Sequence, residues 1–168
     1  MHEFSIKIEK KVLVETKKGI IKPDLTTSNS LKKIDKRVVL FSEAKDEPFE
    51  KVNVLIIDNI GMLSSIYRYG HVAYIGGGFG VGIHNILEAA VYGMPVVYGP
   101  NFQKFREAVE LVKDGGAFPI SSYGELKELF DNFRENEKSL KRAADATQTF
   151  VNMNMGATEV IMNYLRKS

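Results

Sequence analysis

The sequence has no cysteine, which excludes disulfides, thiolate metal sites and a cysteine nucleophile. Histidine is almost as scarce, and the scatter of His2, His71 and His84 argues against a metal centre built on imidazole. No run approaches the ~18 apolar residues of a membrane span, and no secretory signal is visible. A soluble, cytoplasmic chain without a cofactor is the expectation. No internal repeat is present, and with a net charge of only +2 no nucleic-acid partner is expected. That charge is uneven: residues 1–37 hold ten Lys or Arg and five Asp or Glu. A solvated basic helix and linker is the plain reading, with an arm for an anionic membrane or phosphorylated substrate as the alternative.

The 168 residues make one ordinary domain, able to bury roughly 70% of the unfolded surface. Hydrophobic residues at 44% and charged residues at 26% are near the globular average, so wholesale disorder is not expected. The chain is organised around residues 75–93, IGGGFGVGIHNILEAAVYG. Glycines at 76, 77, 78, 80 and 82 follow the apolar run His71-Val72-Ala73-Tyr74-Ile75, and a helical pattern opens at Asn85. Strand, glycine loop and helix start, in that order, set backbone N–H groups and the positive end of a helix against an anion. The glycines permit close approach and positive φ. We read the stretch as the phosphate side of a nucleotide site.

Elsewhere the periodicity predicts a helix over Glu3–Lys18, where a strand also fits, and a loop over Lys22–Lys33. Strands are predicted at Arg37–Phe41, Val52–Ile57, Pro95–Tyr98 and Ala117–Ile120. Short helices are expected around Leu63–Tyr67, Leu87–Tyr92 and Phe105–Val112, the last closed by Gly115-Gly116. Ser122 with Glu125 forms a capping box for a helix lined by Leu126, Leu129, Phe130 and Phe133. Two more helices follow, through Leu140–Val151 and Thr158–Arg166. Alternating strands and helices imply an α/β fold, a Rossmann-like parallel sheet with helices on both faces. The turns at Asp58–Gly61, Gly76–Gly82 and Gly99-Pro100 would then share one rim, beyond the carboxyl ends of the strands.

Each motif has a plainer reading. The loop is not GxGxxG and lacks the Lys-Ser or Lys-Thr of a P-loop, which disfavours hydride-transfer enzymes and NTPases, and its glycines would also suit packing alone. Asn85 and Glu88 have capping-box spacing, yet a carboxylate at Glu88 also suits the two hydroxyls of a ribose. His84 beside the loop suits a donor to a phosphate or sugar oxygen, or a loop histidine. Arg106 is either a helix-start ion pair or a contact at the rim.

Six segments, in order and spacing, carry a family resemblance: Asp58-Asn59-Ile60-Gly61-Met62-Leu63; Ala73-Tyr74-Ile75-Gly76-Gly77; His84-Asn85 with Leu87-Glu88; Gly93 with Pro95-Val96; Gly99-Pro100; and Phe105-Arg106-Glu107. Over Asp58–Ile120 the chain resembles the C-terminal half of the 3-deoxy-D-manno-octulosonic acid (Kdo) transferases. These glycosyltransferases move Kdo from CMP-Kdo onto lipid A precursor in lipopolysaccharide synthesis. The resemblance implies the C-terminal half of a glycosyltransferase-B fold, with residues 1–36 a basic helix and linker at the domain junction and 37–168 the nucleotide-sugar-binding domain. It puts Gly76, Gly77 and Gly78 by the phosphate, with Asn85 facing it and His84 beside it. Glu88 would hold the ribose, and Ile60, Gly61 and Met62 would lie near the cytosine.

The resemblance further implies that CMP-Kdo is a substrate, with no metal. The catalytic base, the acceptor groove for lipid A precursor and the membrane anchor would belong to an N-terminal domain outside this chain, at the cytoplasmic face of the bacterial inner membrane. His2-Glu3 matches the end of a Pro-His-Glu segment near the domain junction. The isolated chain is then expected to bind nucleotide without turnover, and its last helix to expose an apolar face open to self-association. The family pattern has Glu at the position of Met62, often Pro at Ile86 and commonly Asn at Lys104. A UDP-sugar transferase or epimerase, and a non-catalytic Rossmann-like interaction module, are the alternatives.

Overall fold

The computed structural model describes residues 14–15, 37–46, 52–57, 59–80 and 82–166. The Lys22–Lys33 loop, most of the basic helix and Asp58 lie outside the described residues. Among the described residues there are six strands: β1 (Val14–Glu15), β2 (Val38–Leu40), β3 (Val54–Ile56), β4 (Ala73–Ile75), β5 (Val96–Tyr98) and β6 (Ala117–Pro119). A 3-10 segment (Phe41–Asp46) follows β2. The α-helices are α1 (Leu63–Ile66), α2 (Leu87–Ala90), α3 (Arg106–Lys113), α4 (Tyr123–Glu135), α5 (Glu137–Asn154) and α6 (Ala157–Leu165).

The α/β class is as expected, and all observed strand pairing is parallel. The four-stranded sheet runs β1-β4-β5-β6, while β2 and β3 form a separate pair. Two expectations are corrected here. Val14–Glu15 is a strand, opposite Tyr74 and Ile75, and not part of a helix. The β-branched Val12 and Val14 lower helix propensity and suit a strand, and a strand edge offers the backbone of Val14 and Glu15 partners that periodicity cannot foresee. Nor do the described strands form one sheet: β1 takes the edge of β4, and among the described residues β3 pairs with β2 only. Residues 38–40 and 54–56 are half-buried, in contrast to the fully buried Val96–Tyr98.

Register fixes the two faces of the main sheet. Ala73 pairs with Val96 and Val96 with Ala117, so these share a face with Ile75 and Tyr98. That face meets Ala89 and Ala90 of α2, Ala108 and Leu111 of α3, and Phe150 and Val151 of α5 in one buried cluster. Phe118 points the other way, and its ring meets Phe133 of α4 edge-on at 5.3 Å. Helices therefore cover both faces, as the sequence predicts.

The ends of the elements follow local chemistry. The amide of Glu125 donates to Ser122 Oγ (3.2 Å) and the amide of Ser121 to the Glu125 carboxylate (2.8 Å), which realises the capping box one residue early. Past α3, the Gly116 amide returns to the Leu111 carbonyl at 2.9 Å. Thr147 of α5, fully buried, sets its hydroxyl 3.0 Å from the Ala143 carbonyl and 3.1 Å from that of Gly116, which ties α5 to the strand entrance of β6. On α6, Ile161, Met162, Tyr164 and Leu165 are exposed, as expected of the last helix.

Candidate functional site

Because β4, β5 and β6 run parallel, the loops leaving Ile75, Tyr98 and Pro119 emerge at one edge of the sheet. The first two are bolted together. The Gly99 amide donates to the Gly77 carbonyl (2.9 Å) and the Asn101 amide to the Gly78 carbonyl (2.9 Å). The Asn101 side chain then reaches Gly80, donating from Nδ2 to its carbonyl at 3.2 Å. Phe105 closes the base of the loop, its ring lying against Gly82.

This bracing explains the glycines in a way the sequence did not. Gly77 and Gly78 are buried, and Gly78 has φ +88°. A Cβ on Gly78 would lie 2.7 Å from the Gly99 carbonyl oxygen. Close backbone approach is thus required, but by the neighbouring loop. Gly80, by contrast, is exposed with open space around it. The amides of Gly78, Phe79 and Gly80 donate to no acceptor among the described residues, so the loop retains donors for an anion.

On the return leg His84 is half-buried and Asn85 exposed. Asn85 Oδ1 accepts from the Leu87 amide (3.1 Å), and Asn85 Nδ2 donates to Glu88 Oε1 (2.9 Å). This is a capping arrangement made through side chains. It leaves Glu88 exposed and able to accept further hydrogen bonds, so capping and ligand binding are compatible. The helix itself falls short of expectation. α2 spans only Leu87–Ala90, a single turn that opens after Ile86. So short a stack of peptide dipoles adds little field, and attraction for an anion falls to the loop amides.

The third turn leaves a different sheet. Asn59–Met62 follows β3, in the two-stranded sheet, and among the described residues no hydrogen bond joins it to the glycine loop. Ile60 is 87% exposed, Gly61 has φ +86°, and the Asn59 amide contacts Met62 sulfur at 3.8 Å. The turn connects to the main core through α1 and Tyr67, which is buried there. Arg106, first residue of α3, donates from Nε to Glu110 at 2.7 Å, and Glu110 raises its pKa further. It lies along its own helix, exposed, in the ion-pair arrangement.

Sequence reasoning missed Asn101 and Tyr98. The Tyr98 hydroxyl donates to the Ala108 carbonyl at 3.1 Å and its ring packs at 5.5 Å from Phe102, anchoring α3 under the rim. Burial pushes that phenol well above its usual pKa. An Asn directly after a Gly-Pro turn was the available sign for Asn101. Among the described residues no group of three or more His, Asp or Glu could hold a metal, and no helix is long and apolar enough to cross a membrane.

The chain is 34% identical over 91 residues to the 3-deoxy-D-manno-octulosonic acid transferase of Aquifex aeolicus, covering 53% of this chain and 26% of that protein. Over this length the chain is similar to the Kdo transferases. The Kdo transferase of Rickettsia bellii matches over 125 residues at 26% identity, covering 73% of this chain and 30% of that protein. This chain thus spans about a quarter to a third of the length of these relatives. No family model matches it. Its fold matches the crystal structure of the C-terminal CMP-Kdo binding domain of WaaA from Acinetobacter baumannii, with a TM-score of 0.64 at 17% identity, over 74% of this chain and 65% of that one. The expected fold, that of a C-terminal glycosyltransferase-B domain, is therefore the observed one.

Proposed function

We propose that this chain is the donor-binding part of a Kdo transferase and holds CMP-Kdo at the edge formed by the loops after β4 and β5. The observation that carries this reading is the 34% identity to a Kdo transferase, from a chain whose glycine loop keeps open amides on a braced frame. In this reading Gly76, Gly77 and Gly78 lie by the phosphate, which the open amides of residues 78–80 face, with Asn85 and His84 beside it. Glu88 accepts from the ribose hydroxyls, and Ile60, Gly61 and Met62 border the cytosine. Arg106 is a candidate rim contact only after leaving Glu110, which an exposed pair permits at small cost.

Transfer displaces CMP from the anomeric carbon of Kdo. The bond from that carbon to the phosphate oxygen breaks as the acceptor hydroxyl attacks, and negative charge grows on the departing phosphate. Fixed amide donors stabilise that charge without reorganising. The base that takes the acceptor proton, the groove for lipid A precursor and the membrane contact are assigned to the rest of the enzyme, at the cytoplasmic face of the inner membrane. The chain alone then binds without turnover. The exposed apolar residues of α6 are assigned to that other part, and in its absence to self-association.

A thermal-shift panel with CMP, UMP, UDP and GDP tests the assignment. CMP at a hundred times its dissociation constant should stabilise the chain by about 2.7 kcal/mol. A response confined to UDP would replace the Kdo reading with a UDP-sugar enzyme. A second reading has its own support, since Gly78 and Gly99 pack backbone to backbone. If no nucleotide shifts the melting temperature, the glycines serve packing alone and the domain is an interaction module.

A further inference from the structure

Phe79 is the one aromatic residue within the glycine loop. It is half exposed, at 50%. Its position is nonetheless tightly set. Asn101 binds the carbonyls on both sides of it, Gly78 through the backbone amide and Gly80 through the side chain. One edge of the ring lies over Gly99, with Cδ2 only 2.7 Å from where a Gly99 Cβ would stand. A glycine at 99 therefore makes room for the ring, and half of the residue remains exposed to water.

We propose that Phe79 is the surface on which the transferred sugar of the donor rests. The inference builds on the nucleotide-site reading above. The open amides of residues 78–80 flank the ring, so a phosphate held there brings its ester substituents beside Phe79. Of the two substituents, the ribose is drawn to Glu88, and the glycosyl group is left for the ring. A pyranose offers a face of C–H bonds with partial positive charge, and the negative π-face of an aromatic ring suits it. Packing over Gly99 uses one edge of the ring, and the exposed remainder is the part free to meet a sugar. Phe79 is a binding and specificity residue in this scheme, with no part in moving the proton.

Calorimetric titration of the chain with CMP and with freshly prepared CMP-Kdo tests it. The wild type should bind CMP-Kdo more tightly than CMP. Phe79→Ala should weaken CMP-Kdo about fivefold and leave CMP within about twofold. Phe79→Leu still covers Gly99 and guards against a folding defect; it should show the same selective loss, while Phe79→Tyr should bind both ligands as the wild type does. Equal losses for the two ligands, no loss for either, or a wild type that does not distinguish them would overturn the role of Phe79 and leave the nucleotide site standing. A wild type that binds neither ligand would remove the site reading and this inference with it.

Discussion

Replacing Gly78 by alanine attacks the contact on which the rim depends. The new methyl would lie 2.7 Å from the Gly99 carbonyl oxygen and 2.9 Å from its Cα, both backbone atoms with little freedom to move. At φ +88° an L side chain is also strained in itself, at a cost of about 1–2 kcal/mol. Overpacking against a fixed wall adds about 1–3 kcal/mol. The sum, about 3 kcal/mol, corresponds to a fall of roughly 6–12 °C in melting temperature for a domain of this size. The loops would part and the Asn101 amide would lose the Gly78 carbonyl, so the response to CMP should vanish too. Gly80→Ala is the matched control: its methyl meets nothing within 4 Å and its φ lies outside the left-handed region. Stability should stay within about 0.5 kcal/mol, yet a phosphate seated on the loop would meet the methyl, so CMP binding should weaken. Differential scanning calorimetry with and without CMP reads all four quantities. A Gly78→Ala protein that melts within a degree or so of wild type would refute the loop-on-loop contact.

Tyr98 supplies a pH test. Its folded pKa is raised above the usual phenol value of 10.0 by burial, so the native state keeps a proton that the unfolded chain releases. The stability this gives is complete below pH 10.0 and is lost as pH rises from there toward the folded pKa, at up to about 1.4 kcal/mol per pH unit. Tyr98→Phe should lose about 1 kcal/mol at neutral pH with the Ala108 hydrogen bond, and show a shallower decline above pH 10.0 in urea melts; parallel declines would contradict the buried phenol. Glu88→Gln keeps an oxygen for the Asn85 amide but removes the charge, so stability should change by less than about 0.5 kcal/mol while CMP affinity falls about tenfold by calorimetry. Unchanged affinity would move the ribose elsewhere.

The legible parts of this protein are those written locally. Ser122 and Glu125 lie three residues apart, and that spacing is enough for a cap. The valines of β5 are consecutive and buried, as a strand covered on both sides must be. The helix expected across Glu3–Lys18 failed at Val14 because pairing with Tyr74, 60 residues on, outweighed a weak periodicity. Arg106 was open between rim and ion pair, and the choice fell to Glu110, one turn along the same helix.

From its order of residues alone the chain determined that a strand, a glycine loop and a helix start would follow one another, and that motifs spaced as in Kdo transferases would surround them. Chain connectivity and backbone conformation are short-range, so the sequence carries them openly. Only the tertiary structure decided that Gly78 is spent on Gly99, that Asn101 locks the loop, and that β3 pairs with β2 apart from the main sheet. Those outcomes depend on which distant backbone groups compete for the same partner, and hydrogen bonding and close packing settle that competition only once the elements have met.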